Sequence, residues 1–344
     1  MLSLALFMKW GYFLSDRKRE INPEILMKKA LFLVNAVSGR QAGKKIKENI
    51  ISELNGVLAR DNYDIVFTEV NIAGQIRKVS PDYETVVVVG GDGTIQQVVQ
   101  GIVGLENKPK VGIVPTGTGN DLARSLGILS FFKSHGLRAL LNVILEGKTI
   151  GIDIISLGDK YLFTNYFGIG NDAKISNYFN RIRLRPYFSN GYPLIFNKVL
   201  YGVLGLTNGF YTIPFDVELK YRKEQSITKE LTVPSGICGI IITNIKTYAG
   251  GDLLSSKCIM DDGKFEVTVI SSIWQWLMLH VTRFLRKPLN IFCSKLIQFQ
   301  TDMLEMAFTG DTFFQIDGET LDSFAEERKR LMVRVESHIE MIVP

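Results

Sequence analysis

Short apolar runs alternate with amphipathic segments in the first 150 residues of the chain. Residues 30–34, 86–89 and 111–114 form runs of four or five positions that are almost wholly apolar. Such runs are too short for a buried helix and are typical of strands that are covered on both faces of a parallel sheet. Further elements are predicted over residues 44–59 (a Lys-rich helix), 64–69 (a strand) and 137–146 (a helix). This order of strand, polar turn and helix predicts an α/β unit.

Beyond residue 151 the pattern changes to short segments in which apolar and polar residues alternate. A period of two, with turn residues between the segments, predicts antiparallel sheet. The predicted strands cover residues 153–156, 161–166, 215–219, 236–243, 265–270, 313–316 and 331–343. The predicted domains are therefore an N-terminal extension (1–26), an α/β domain (27–150) and a β-rich domain (151–344), whose last strand returns to the first domain.

Two segments within the β-rich half combine aromatic and basic residues, namely residues 175–210 and 273–292. Both are too short, or too polar, to span a bilayer. Aromatic rings beside cations suit a membrane interface with anionic lipid. Core helices with solvated Arg and Lys side chains explain the same pattern, and the sequence leaves both interpretations open.

Composition limits the class of protein. The chain has 344 residues, of which 46% are hydrophobic and 22% charged, and its net charge is +5. This length favours two domains, and the mild basic charge favours an anionic surface or a nucleotide but gives no case for nucleic acid. The three cysteines share no metal-ligand spacing, which predicts reduced thiols in the cytosol.

The first residues are apolar but do not predict a cleaved signal peptide. Residues 1–14 are interrupted by Lys9, are shorter than a span of about 20 residues and precede no small-residue cleavage site. The first strand begins near Met27, so residues 1–26 are an extension. A membrane-grazing helix and a wrongly assigned start both remain open for it.

Two glycine-rich turns follow neighbouring predicted strands. The first is Gly90-Gly91-Asp92-Gly93-Thr94, and the second runs from Pro115 to Arg124 as PTGTGNDLAR. Turns without side chains let backbone N–H groups approach an anion, and each turn opens a helix whose N-terminus favours negative charge. Two such loops at the carboxyl ends of adjacent strands predict one nucleotide crevice.

The pair of loops resembles the diacylglycerol kinase and sphingosine kinase family of lipid kinases, in its compact bacterial form. The resemblance implies an N-terminal α/β nucleotide-binding domain like that of NAD kinases, a C-terminal β-rich (β-sandwich) domain, and an active site in the cleft between them. Ala36 replaces the usual Pro of the family, and Gln96 and Gln97 replace the usual Asn and Glu. The residues expected to hold ATP are Asn35, Ser38, Gly39, Arg40, Thr68, Gly90, Gly91, Asp92, Gly93, Thr94, Gln97, Gly117, Thr118, Asn120 and Asp121. Strand propensity alone explains Thr68 almost equally well.

A third turn, Asp317-Gly318-Glu319, ends the predicted strand 313–316. By itself Asp-Gly is a common hairpin turn. The resemblance implies instead that the turn faces the glycine loop across the cleft and that Asp317 or Glu319 is the general base toward the lipid hydroxyl. The sequence does not decide between the two carboxylates.

Candidate metal ligands fall in two places. Asp92 is the expected magnesium-bridging carboxylate, because Mg²⁺ prefers one or two carboxylates with phosphate and water. The resemblance also implies a second, structural Mg²⁺ held by Ile259, Asp262 and Lys264. No zinc motif, Gly-x-Ser-x-Gly elbow or Walker lysine is present in the sequence.

These features predict an ATP- and Mg²⁺-dependent kinase that phosphorylates a lipid hydroxyl, with diacylglycerol the first candidate and phosphatidic acid the product. The expected location is cytoplasmic, in peripheral contact with the inner face of the membrane, without nucleic acid. The sequence leaves open whether the protein is a homo-oligomer. Two alternatives stand beside this prediction: an NAD kinase, which shares the Gly-Gly-Asp-Gly-Thr loop, and a nucleotide-binding regulator that has lost catalysis.

Overall fold

The computed structural model describes residues 29–36, 38–55, 62–117, 119–183, 210–224, 227–321 and 330–344. The predicted extension 1–26, Thr118 and residues 184–209 of the first aromatic segment lie outside the described residues. The strands in chain order are β1 (Ala30–Val34), β2 (Tyr63–Phe67), β3 (Thr85–Gly90), β4 (Lys110–Pro115), β5 (Thr149–Leu157), β6 (Tyr161–Phe163), β7 (Tyr166–Gly170), β8 (Val217–Glu224), β9 (Ile227–Val233), β10 (Gly239–Thr243), β11 (Thr247–Tyr248), β12 (Asp252–Leu253), β13 (Phe265–Ile270), β14 (Ile297–Thr301), β15 (Met303–Phe308), β16 (Phe314–Ile316), β17 (Glu319–Thr320) and β18 (Arg330–Ile342). The helices are α1 (Ser38–Leu54), α2 (Ile72–Val79), α3 (Asp92–Ile102), α4 (Asp121–Ser125), α5 (Ile128–Glu146), α6 (Asn171–Arg183), α7 (Ile273–Leu285) and α8 (Leu289–Phe292).

The N-terminal part is the predicted α/β unit. Strands β2, β1, β3 and β4 lie side by side in that order and are all parallel. Every residue of β1 and β3 is buried, as expected of strands that are covered on both faces. Helix α1 begins at Ser38, six residues before the predicted start, directly after the turn that ends β1. The carboxyl ends of β3 and β4 therefore meet at one edge of the sheet.

The β-rich part contains a second sheet of six strands in the order β14-β13-β10-β7-β16-β17. All of the pairs in this sheet are antiparallel, as the alternating pattern predicts. The predicted strand over 161–166 is in fact two strands, because β6 pairs with β5 of the first sheet and β7 joins the second sheet. An N-terminal α/β part followed by a β-rich part confirms the predicted fold class.

Strand β18 lies inside the first sheet, between β4 on one side and β15 on the other. Its Met341 is paired in parallel with Val111 of β4, and most of its length is antiparallel to β5. Strands from both ends of the chain thus share one ten-stranded sheet.

Helix α5 has the length and apolarity of a membrane span, and it is the one helix in the described residues that meets this test. Gly136 inside it has φ 80° and ψ −177°, which is not helical. The longer half, residues 137–146, has ten residues and measures about 15 Å, half of the roughly 30 Å of a bilayer core.

Candidate active site

The two glycine-rich loops touch each other through their backbones. A Cβ atom built on Gly117 would lie 2.4 Å from Cα of Gly91, and one built on Gly91 would lie 2.9 Å from Cα of Gly117. The N–H of Thr116 donates to the carbonyl of Gly90 at 2.9 Å, which fixes the second loop to the end of β3. Only glycine permits this close approach. The packing of the loops therefore requires glycine at both positions, independent of any ligand.

Asn120 closes the second loop on itself. Its Oδ1 accepts from the N–H of Gly117 at 3.0 Å, and its Nδ2 donates to the carbonyl of Gly117 at 2.7 Å. Asn120 adopts the left-handed conformation at φ 53°, which Asn tolerates better than most residues. The loop is thus held in shape before any ligand binds.

Asp92 joins the first loop to the helix that follows the second. Its two carboxylate oxygens accept from the backbone N–H groups of Asp121 at 3.0 Å and Leu122 at 3.2 Å. Asn165 Nδ2 donates to the same carboxylate at 3.4 Å. Asp92 therefore caps the N-terminus of α4 from another part of the chain, a role that the sequence did not indicate.

Asn35 extends the crevice to the end of β1. Its Nδ2 donates to Oγ1 of Thr94 at 2.8 Å, and its backbone N–H donates to Val89 at the end of β3. The structure therefore brings the first turn against the Gly90 loop, as the nucleotide crevice requires. A Cβ on Gly90 would lie 2.7 Å from Cβ of Thr94, so glycine is needed here as well.

Asp121 is a buried carboxylate between the two glycine-rich loops, which are the predicted phosphate loops, and the β-rich part. Its Oδ2 accepts from the hydroxyl of Tyr166 at 3.2 Å and from the N–H of Gly250 at 3.0 Å. Nε of Arg124 lies 3.7 Å from its Oδ1. Burial, and next the charge of Asp92, raise the pKa of Asp121 to about 6.

The acidic turn lies against the same tyrosine. Asp317 Oδ1 accepts from the N–H of Tyr166 at 2.9 Å, and the N–H of Asp317 donates to the carbonyl of Tyr166 at 3.0 Å. Burial, and the charges of Asp92 and Asp121, raise the pKa of Asp317 to about 8. The predicted proximity of this turn to the glycine loops is therefore present.

Glu319 has a different environment from Asp317. It begins β17 and is exposed, whereas Oδ2 of Asp317 is inaccessible to solvent and has no hydrogen-bond partner. Gln315 supports the turn between them, since its Oε1 accepts from the N–H of Gly318 at 2.7 Å. Asp317 itself has φ 50°, a strained conformation that the surrounding contacts hold.

A buried layer beneath the turn was not predicted from the sequence. Gln315 Nε2 donates to the hydroxyl of Tyr248 at 3.1 Å, and that hydroxyl is hydrogen-bonded in turn to Asp172. The rings of Tyr248 and Tyr166 are 4.6 Å apart. These two tyrosines connect the glycine-rich loops with the acidic turn.

The remaining predicted nucleotide residues are less well defined. The backbone of residues 38–40 opens α1 beside the first turn, and their side chains are not described. Thr68 follows β2 and donates from its N–H to Val34 at 3.0 Å, and Gln97 lies on α3. Thr118 lies outside the described residues.

The predicted second metal site forms a turn before β13. Asp262 Oδ1 accepts from the N–H of Lys264 at 3.1 Å, and Ile259 is 53% exposed. The turn is tied to β5, because Asp153 Oδ2 accepts from the N–H of Gly263 at 2.7 Å. These contacts explain the turn without an ion, so the structural Mg²⁺ stays a prediction.

The acidic centre offers a better fit for Mg²⁺. In the described parts of the chain no three His, Cys, Asp or Glu side chains are arranged to hold a metal. Mg²⁺ in phosphoryl-transfer sites, however, needs only one or two carboxylates besides phosphate and water. Asp121 Oδ1 and Asp317 Oδ2 are buried oxygens without hydrogen-bond partners, and three carboxylates here raise one another's energy when ionised. A bound cation with its water shell would relieve both conditions.

Comparison with known proteins gives the same family over nearly all of the described chain. Residues 29–157 match the diacylglycerol kinase catalytic domain, and residues 162–320 match the diacylglycerol kinase accessory domain. A diacylglycerol kinase of Staphylococcus epidermidis is 23% identical over 328 residues, which are 93% of this chain and 93% of that protein. Diacylglycerol kinase 1 of Arabidopsis thaliana is 30% identical over 300 residues, and the match spans only 39% of that longer protein.

Solved structures agree with the fold. A crystal structure of a diacylglycerol kinase from Bacillus anthracis superposes with a TM-score of 0.64 and 18% identity, and it covers 93% of this chain and 98% of that one. At this identity the likeness shows a common fold.

Proposed function

The chain belongs to the diacylglycerol kinase family, and from this premise we propose that it transfers the γ-phosphoryl group of ATP to the free hydroxyl of a lipid. Diacylglycerol is the proposed acceptor and phosphatidic acid the product. One observation supports this most directly: Tyr166 bonds both to Asp121 of the phosphate loops and to Asp317 of the acidic turn. A γ-phosphate bound at the loops and a lipid hydroxyl bound beside the acidic turn would therefore lie next to each other.

In the proposed reaction the crevice positions the triphosphate and the acidic turn receives the proton. Backbone N–H groups around Gly91 and Gly117, with the N-termini of α3 and α4, neutralise phosphate charge without a Walker lysine. The bond from the γ-phosphorus to its bridging oxygen breaks and ADP leaves. A new bond forms to the lipid hydroxyl oxygen, whose proton passes to a carboxylate.

We assign the base to Glu319 and a positioning role to Asp317. Glu319 is exposed, whereas the carboxyl of Asp317 is bonded to Tyr166 and has a raised pKa. A carboxyl that keeps its proton near neutral pH is a poor acceptor for a second one. Asp317 instead fixes the turn that presents Glu319.

Mg²⁺ would be held by Asp121, through its unpartnered Oδ1, and by Asp92 together with the phosphates of ATP, and when bound it would neutralise charge on the transferred group and beside Asp317. Asp92 also caps the N-terminus of α4, and it can do so with or without bound Mg²⁺. The nucleotide residues predicted around it, from Asn35 to Asp121, are proposed on the same grounds.

The acceptor determines where the protein works. Diacylglycerol remains in a membrane, so the enzyme must reach it by peripheral contact with the bilayer surface. ATP is available in the cytoplasm, which places the proposed site at the inner face of the membrane.

The test is transfer of label from γ-labelled ATP, with Mg²⁺, to a panel of detergent-dispersed diacylglycerol, monoacylglycerol, sphingosine and soluble NAD. Label in phosphatidic acid is the expected result. Label in the NAD product alone would instead identify an NAD kinase. ATP binding with no transfer to any acceptor would indicate a regulator without catalysis.

A further inference from the structure

Helix α7 has an apolar face that points away from the protein. With 100° per residue, Trp274, Val281, Phe284 and Leu285 fall on one side, with the half-buried Leu277 and Met278 between them. Trp274 is 73% exposed and Phe284 is 78% exposed. The opposite side, Trp276, Leu279 and Thr282, is buried against the core. The outer side of the helix therefore carries an apolar stripe that faces water, and an exposed stripe of this kind indicates an interaction surface.

The charge of the chain segment that carries this face is one-sided. From residue 271 to residue 300 the chain has four basic residues and no acidic one: Arg283, Arg286, Lys287 and Lys295. Arg283 is used inside the protein, where it pairs with Asp252. Arg286, Lys287 and Lys295 are exposed beyond the C-terminal end of the helix. An apolar stripe bordered by cations complements an anionic lipid surface, where rings lie among the headgroups and cations meet phosphate.

The helix is held rigidly from behind. Asp252 is completely buried and accepts from Nε of Arg283 at 2.5 Å, and its other oxygen lies 2.6 Å from Nδ1 of His280. Thr282 Oγ1 accepts from the N–H of Leu253 at 2.8 Å. Three contacts to the short strand β12 therefore fix the rotation of the helix, so that its apolar stripe faces outward.

Strands β11 and β12 form a hairpin, and this hairpin also contacts the phosphate loops. Between β11 and β12 the N–H of Gly250 donates to Asp121, the carboxylate next to the Asp92 cap. Ser125 of α4 also bonds to Thr247 of β11, with 3.0 Å between the hydroxyl oxygens. Only one hairpin thus separates the apolar face from the proposed site of phosphoryl transfer.

We propose that Trp274, Leu277, Val281, Phe284 and Leu285, with Arg286 and Lys287 at the end of the helix, form the surface that docks the enzyme on an anionic membrane. The proposal rests on the proposed lipid kinase function and adds the surface through which the acceptor is reached. The helix measures about 20 Å, and lying in the interface it would bury its outer side among headgroups.

The test compares two double variants by co-sedimentation with vesicles of phosphatidylcholine, alone or mixed with phosphatidylglycerol. Trp274→Ser with Phe284→Ser should reduce partitioning to the mixed vesicles at least about tenfold, because both rings are lost. Arg286→Glu with Lys287→Glu should reduce it by a similar factor and remove most of its salt dependence. Circular dichroism and thermal unfolding check that these exposed changes leave the fold intact.

The charge control is Arg77→Glu with Lys78→Glu, another adjacent pair of exposed cations in the last turn of a helix, α2. Val70→Ser, at a fully exposed apolar position, is the control for the rings. Both controls should bind vesicles as the unaltered protein does. Equal partitioning of all variants would overturn the proposal.

Activity separates this proposal from the proposed function. Both face variants should lose turnover of diacylglycerol in mixed vesicles and keep turnover of short-chain diacylglycerol in solution. If the unaltered protein phosphorylates neither acceptor, the assignment of diacylglycerol as the acceptor fails while the vesicle result stands by itself. If the protein ignores vesicles and instead forms a dimer that Trp274→Ser with Phe284→Ser dissociates, a second copy covers the face and membrane docking is wrong.

Discussion

Asp317 and Tyr166 are joined by two hydrogen bonds, one through the side chain of Asp317 and one through its backbone, although 151 positions separate them in the chain. The carboxyl of Asp317 accepts from the N–H of Tyr166, and the carbonyl of Tyr166 accepts from the N–H of Asp317. The side chain of the same tyrosine bonds to Asp121. The position of the acidic turn relative to the phosphate loops is therefore set by one residue at the start of β7, and the site responds to changes on either side of it.

Glu319→Gln should lower kcat by about 10²-fold or more, because the amide keeps the size of the side chain and cannot take a proton. The KM for ATP should hardly change, since the base acts on the acceptor. Steady-state kinetics with both substrates varied measures each effect. A variant as fast as the unaltered enzyme would remove the assigned role of Glu319.

Asp317→Asn should alter the pH dependence of stability in metal-free protein. The pKa of Asp317 rises from 3.8 to about 8, so the folded state keeps a proton that the unfolded chain releases. The contribution of Asp317 to stability is therefore fully present below pH 3.8 and is lost as pH rises toward 8, with a slope of at most about 1.4 kcal/mol per pH unit. The Asn variant lacks that slope, so its free energy of unfolding should exceed that of the unaltered protein increasingly from pH 5 to pH 8.

Urea unfolding at several pH values measures this difference. Parallel curves for the two proteins would show that Asp317 titrates normally. Asp317→Ala provides a contrast, because it also loses the hydrogen bond to Tyr166 and should be less stable than Asp317→Asn at every pH.

Gly117→Ala should separate the two phosphate loops. The new Cβ would come within 2.4 Å of a backbone atom of Gly91, which cannot move as a flexible side chain can. We expect a loss of about 1–3 kcal/mol in stability and a rise of at least about tenfold in the KM for ATP. Gly104→Ala is the control, because nothing lies within 4 Å of a Cβ there and φ is not positive. Equal kinetics for the two variants would contradict the close contact.

Asp92→Asn should distinguish the role of Asp92 in capping α4 from its role in binding Mg²⁺. The amide retains one oxygen to accept from the N–H of Asp121, so α4 should stay folded, but a full negative charge is lost. We expect the Mg²⁺ concentration for half-maximal rate to rise about tenfold or more, and stabilisation by Mg²⁺ with a non-hydrolysable ATP analogue to diminish. Thermal unfolding with and without Mg²⁺ gives a readout independent of turnover. An unchanged response to Mg²⁺ would show that Asp92 caps α4 but does not bind the metal.

The elements around the proposed nucleotide site could be predicted because their signals are local. The valines of β3 and the glycines after them lie within one short stretch, and period and turn chemistry are sufficient to read them. The acidic turn was identified by resemblance to a family, since on spacing it is an ordinary hairpin.

The contacts that hold the site together could not be predicted from the sequence, because they join residues that are far apart in the chain. Tyr166 looked like one more aromatic strand residue, and Gln315 like an alternating polar position. Asp92 looked like a metal ligand, and nothing local indicated that it caps a helix 29 residues further on. Each of these roles depends on which strands become neighbours, and the pattern along the chain does not specify that.

The position of β18 also has a consequence for how the protein is made. β4 is an open edge until β18 arrives beside it, and β18 is the last strand of that sheet to leave the ribosome. During synthesis the parallel strands β1 to β4 therefore keep an unpaired edge, which is able to pair with other chains, until residues 330–342 have been made. A fragment cut near residue 150 would keep that edge permanently, so the catalytic half should not be expected to survive as an excised piece.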